Sequence, residues 1–122
     1  MMDQPKRIAV ATDLSAHARH AAERAAMIAR DTGAALDLLH VAALPPLERL
    51  RGIMGVTAED VKNRVVAAAR QKLGELRRSL QERHGVSAST EVAVGALLPE
   101  LARALEDRAA DLLVCGARGE SV

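Results

Sequence analysis

Short apolar runs alternate with longer stretches whose apolar positions recur every three or four residues, and each change of period falls at a glycine, a proline or a short polar side chain. Arg7 to Thr12 reads as a first strand, and Asp13-Leu14-Ser15 suits the start of a helix. From Ala18 onward, Ala21, Ala22, Ala25, Ala26, Ile28 and Ala29 make one apolar face, which Thr32-Gly33 ends. Ala35 to Ala42 predicts a second strand, closed by Pro45-Pro46. Thr57-Ala58-Glu59-Asp60 has the make-up of a helix N-terminus, and Val61, Val65, Ala69, Leu73, Leu76 and Leu80 continue a stripe that stops at His84-Gly85. Val86 to Val94 alternates as a third strand before Gly95; Leu98, Leu101, Leu105 and Ala109 mark another helix; Ala110 to Cys115 predicts a fourth strand. Leu44 to Val56, with Gly52-Ile53-Met54-Gly55, follows neither period and reads as a surface excursion.

The order βαβαβαβ, with near-continuous apolar strands, predicts an α/β fold: an open, Rossmann-like parallel sheet with helices on both faces, in one domain over residues 1–122. Such sheets bind ligands outside the carboxyl ends of the strands, where the direction of winding reverses. A strand order 3-2-1-4 sets the exit of the first strand, Thr12-Asp13, beside the exit of the fourth, Gly116.

Composition narrows the function. The chain is 49% apolar without a Phe, Tyr or Trp, so the core is built from many small contacts. The stacking platforms of single-stranded nucleic-acid and RNA binders are missing, which argues against a nucleic-acid partner. Net charge is +1 and the charges are interspersed, with no polyanion-binding tail. The single cysteine, Cys115, has no internal disulfide partner and reads as a small core residue. No apolar run has the length of a bilayer span, and MMDQPKR leads into the first strand without a signal-peptide core; the expectation is a cytoplasmic protein with no membrane partner.

Few residues are candidates for chemistry. Asp13 is suited to accept hydrogen bonds from a ribose or to face a metal bridging phosphates; capping the first helix is the plainer use of such a residue. Gly116, Arg118 and Gly119, in the turn Gly116-Ala117-Arg118-Gly119, offer backbone amides and a guanidinium to phosphate oxygens, or form an ordinary strand exit with a solvated cation. His17 and His20 share a helix face with no third metal ligand nearby, and His40 has no nucleophile beside it; both readings favour plain surface or packing roles. Ile53 and Met54 are placed to cover a ligand or simply to pack their loop. The chain has no GxxxxGK loop, no GxGxxG turn after the first strand and no serine elbow, so a binding module is expected rather than an enzyme.

IAVATDLS at the first strand, the alanine-rich first helix, LDLLHVA at the second strand and ADLLVCGARG at the fourth, in this order, resemble the universal stress protein family over nearly the whole chain. The resemblance implies a parallel sheet ordered 3-2-1-4-5 and, in members that bind ATP, contacts that map onto Asp13, Val41 and Gly116 with Gly119. Ala11 and Thr12 would lie beside the nucleotide, Val41 would bond adenine through its main chain, and Mg would reach Asp13 only through the nucleotide. The family's second glycine motif and fifth strand lie beyond Ser121-Val122, so the expectation is a four-stranded version with weakened ATP binding and the fourth strand at an edge. The resemblance also implies a homodimer acting in stress-response signalling. The alternative is a nucleotide-independent interaction module of the same fold. A phospho-receiver domain fits poorly, because Val94-Gly95-Ala96 follows the third strand where such a domain carries its phospho-accepting Asp; an adenylating enzyme fits poorly, because ATDLS has no glycine.

Overall fold

The computed structural model describes residues 4–43 and 57–116; the segment Leu44 to Val56, with Ile53 and Met54, and the residues Ala117, Arg118, Gly119 and Ser121 lie outside them. The elements run β1 (Arg7–Thr12), α1 (Ala16–Thr32), β2 (Ala35–Ala42), α2 (Ala58–His84), β3 (Ala88–Val94), α3 (Leu97–Arg108) and β4 (Leu112–Gly116). All neighbouring strands are parallel and the sheet order is β3-β2-β1-β4, as the sequence predicts.

Local chemistry explains most boundaries. Ser15 caps α1, its Oγ accepting the Ala18 N–H at 3.1 Å. Gly33, at φ +77°, closes that helix by donating its N–H to the Ala29 carbonyl at 2.8 Å. Thr57 and Asp60 form a reciprocal capping box at α2: the Asp60 N–H donates to Thr57 Oγ1 at 3.0 Å, and the Thr57 N–H to Asp60 Oδ2 at 3.2 Å.

Two strands begin later than expected. β3 starts at Ala88, the register partner of Leu36, because Val86 is drawn into the core and Ser87 Oγ donates to Gln81 Oε1 on α2. β4 starts at Leu112 because the end of α3 consumes the preceding residues: the Ala109 and Ala110 amides donate to the Glu106 and Leu105 carbonyls. At its other end β4 extends through Gly116, so this glycine is the last strand residue rather than the first of a turn.

The two sheet faces differ in kind. On one, Ile8, Val10, Leu36 and Leu38 lie under Ala22, Ala25, Ala26 and Ala29 of α1 and Leu73, Leu76 and Leu80 of α2, forming the main core. Small side chains let α1 settle close to the strands. Ile28, placed on the apolar stripe by periodicity, is instead 38% exposed, because the buried arc of α1 is made by the alanines.

The opposite face carries α3, which rests Ala104, Leu101 and Leu105 over Ala9 and Leu39. Beside that small apolar patch Asp37, 1% exposed, accepts from Arg7 Nε at 3.0 Å, from Arg108 Nη1 at 2.9 Å and from the Ser89 hydroxyl. Arg108 also binds Glu91, which Arg103 holds at 2.8 Å. α3 is thus fastened by a charged network as much as by packing. Cys115 emerges on the same face and is exposed, correcting its expected burial: α3 packs over β2, and no described residue covers β4 at that point.

Candidate functional site

Winding from β1 through β2 to β3 proceeds in one direction, with α1 and α2 on the main-core face; the next crossover carries α3 over the opposite face and returns the chain on the far side of β1. The reversal therefore falls between β1 and β4, where an open parallel sheet leaves a crevice at its carboxyl edge. Thr12 and Gly116 are register partners there, as are Ala11 and Cys115.

The turn leaving β1 is built from its own side chains. Thr12 is 6% exposed, and its Oγ1 accepts the Leu14 N–H at 3.0 Å. Asp13 is exposed, and its Oδ1 accepts the Ser15 N–H at 2.9 Å. Between them Leu14 sits at φ +67°, a left-handed conformation that costs a branched residue about 1 kcal/mol or more. His40, near the end of β2, donates from Nδ1 to the Thr12 carbonyl at 2.8 Å. A carbonyl only accepts, which assigns the proton to Nδ1.

The sequence-derived residues divide into three sets. Ala11 and Thr12 lie opposite Cys115 and Gly116 across the β1–β4 ladder, and Asp13 follows directly at the β1 exit. Val41, half-buried, lies at the same carboxyl edge one strand away, paired with Ala93 and pointing to the Ala11 face of the sheet. Arg118 and Gly119 are outside the described residues. His17 and His20 are exposed on α1, and among the described residues no group of three or more His, Cys, Asp or Glu side chains is arranged to hold a metal.

On the α2 side of the turn, Thr12, Leu14 and Ser15 open into a cleft of about 520 Å³ whose far wall includes Arg19, His20 and Lys72. The surroundings of the β1 exit are therefore cationic on that flank, with Glu75 the one acid among the described residues of the lining. Sequence reasoning missed the roles of Leu14 and His40. For His40 a signal existed: its parity places it on the face of Leu36 and Leu38, where an imidazole at the end of an apolar strand needs a polar partner. For Leu14 there was none, since leucine carries no left-handed preference.

The universal stress protein family model matches residues 5–122. The chain belongs to the universal stress protein family. None of the curated proteins matches it. Among solved structures, a universal stress protein family member from Burkholderia pseudomallei aligns with a TM-score of 0.75 at 23% identity, over 96% of this chain and 85% of that one. A universal stress protein from Lactobacillus plantarum aligns at 0.74 and 19% identity, over 98% and 82% of the two chains. A third universal stress protein, solved in complex with cAMP, aligns at 0.66 and 21% identity, over 91% of this chain and 71% of that one. At these identities the likeness is one of fold, and the universal stress protein architecture agrees with the sheet order derived from the strands themselves.

Among the described residues, no helix of this universal stress protein is long and apolar enough to cross a membrane.

Proposed function

We infer that this universal stress protein module binds an adenine nucleotide in the crevice between the β1 and β4 exits and serves stress-response signalling through its dimer or its partners. The observation that carries the reading is the pairing of Thr12 with Gly116 at the winding reversal, with the Asp13 carboxylate exposed beside it. The residue types fit a nucleotide. Ala11 and Gly116 leave the backbone approachable, Asp13 is an acceptor for ribose hydroxyls, and Val41 offers main-chain groups at the neighbouring edge. Gly116, Arg118 and Gly119 would take the phosphates, and Mg would be held by the phosphates near Asp13. A structural relative was solved with cAMP, an adenine nucleotide. The module is read as a binding protein rather than an enzyme, in keeping with the lack of a nucleophile–base pair in its sequence motifs.

Titration calorimetry with ATP and magnesium tests this. Binding is expected for the wild type and a loss of about tenfold or more in affinity for Asp13→Asn, which keeps an oxygen for the Ser15 N–H while removing the charge. Gly119→Val is expected to abolish phosphate contacts. Equal heats from the wild type and both variants would refute the site.

One observation favours a second reading. Asp13 Oδ1 already accepts the Ser15 N–H at the helix entry, which is what a nucleotide-independent interaction module would use it for. On that reading no heat is seen with any adenine nucleotide.

Either reading includes a homodimer, supported by the position of β4 at an edge of the described sheet. Light scattering at high micromolar concentration is expected to give twice the chain mass. A monomer mass would remove the dimer from the proposal.

A further inference from the structure

We propose that His40 is the positioning residue of the β1–α1 turn: its Nδ1–H holds the Thr12 carbonyl and thereby aims the Asp13 carboxylate at the crevice. This rests on the nucleotide reading above for its functional half, and stands on hydrogen-bond geometry for its structural half.

Thr12 lies at a point of conflict. It is the last residue of β1, it is nearly fully buried, and the chain must leave the ladder immediately afterwards through a left-handed leucine. A buried carbonyl at a strand end needs a donor, because an unpaired one loses its water hydrogen bond for nothing. The donor comes from 28 residues away, a half-buried imidazole at 2.8 Å, on a strand already in register with β1. The Thr12 side chain is tied separately, its Oγ1 accepting the Leu14 N–H at 3.0 Å. With the carbonyl fixed by His40 and the hydroxyl fixed by Leu14, the peptide plane after Thr12 has no freedom to flip. Asp13 then follows, and its own carboxylate closes the next link to the Ser15 N–H.

Leu14 shows why such fixing is needed. A leucine at φ +67° relaxes to negative φ unless its neighbours hold it, and the relaxation would turn the Asp13–Leu14 peptide and with it the carboxylate that accepts the Ser15 N–H. His40 is the group in this arrangement that comes from another strand. It ties the turn to the rigid sheet, while the bonds from Thr12 Oγ1, Asp13 Oδ1 and Ser15 Oγ run within residues 12–18.

The role asks only for an N–H at the Nδ1 position, so it separates two substitutions of similar polarity. The carboxamide N–H of asparagine falls where Nδ1 does, whereas that of glutamine falls nearer Nε2. Amide hydrogen exchange on the unliganded protein gives a readout independent of any nucleotide. His40→Ala and His40→Gln are expected to raise the exchange rates of the Leu14 and Ser15 amides about tenfold or more, with His40→Asn close to wild type. Calorimetry with ATP and magnesium should follow the same order, with affinity falling about tenfold in the alanine and glutamine variants and recovering in the asparagine variant.

If the alanine variant does not fold, the asparagine–glutamine pair decides alone. Equal exchange in those two variants, or wild-type exchange in His40→Ala, would overturn the proposal. Should the wild type bind no nucleotide, the functional reading fails while the exchange order still tests the positioning role.

Discussion

Replacing Arg108 by methionine is expected to lower the folding stability by about 3 kcal/mol, read as a shift of the urea midpoint at unchanged slope. The variant keeps the length of the stem over the sheet and removes the guanidinium that Asp37 and Glu91 share. Asp37 is 1% exposed, so its charge cannot turn to water; it must rely on Arg7, whose side chain is 38% exposed, and on Ser89. The value lies at the low end of what a broken buried pair costs, because those two partners remain. Pairing Arg108→Met with Asp37→Leu is expected to recover much of the loss, since no charge is then stranded. A loss under about 1 kcal/mol for the single variant would mean that the network is already solvated.

The same network makes a statement about acid. Hydrogen bonding from Arg103, and secondarily from Arg108, holds the Glu91 carboxyl below the usual carboxylate range. A folded-state pKa lower than the unfolded one adds stability above the unfolded value, and that stability is lost as pH falls through the folded value. Wild-type stability should therefore decline below the ordinary carboxylate range, and Arg108→Met should show a shallower decline in the same window.

Leu73→Ala is expected to cost about 3–4 kcal/mol. Leu73 is fully buried on α2 and belongs to the layer in which α1 supplies only alanines. Alanine side chains have no rotamers with which to fill a void, so the cavity term stays nearly whole. Leu73→Met, which conserves volume, is expected to cost under about 1.5 kcal/mol by the same denaturation measurement. Similar costs for the two variants would show that the layer collapses around the alanine.

Those two sites also show what is legible in a sequence of this kind. The stripe containing Leu73 could be read from its spacing alone, and both ends of α2 from Thr57 and Gly85, because each signal is local. The adjacency of Thr12 and Gly116 was legible from element order together with the family resemblance. Asp37 was not. Its partners lie 30, 52 and 71 residues away in sequence, and a carboxylate within an apolar run does not announce which cations will meet it. His40 has no nucleophile beside it in the sequence, and its parity on the face of Leu36 and Leu38 calls for a polar partner without naming the main-chain carbonyl 28 residues away. The starts of β3 and β4 and the exposure of Cys115 were misjudged because each depends on what a helix does after it has docked.

Buried Asp37 has a last consequence, for how the chain threads. Strand side chains alternate between faces, so sliding β2 by one residue past β1 would carry this carboxylate into the layer of Leu73 and Leu80, with neither arginine in reach. Leu36, Leu38 and Leu39 are alike enough to tolerate such a slip on apolar grounds; the acid between them does not. One ionised residue thus rejects the misaligned sheet that its greasy neighbours would accept.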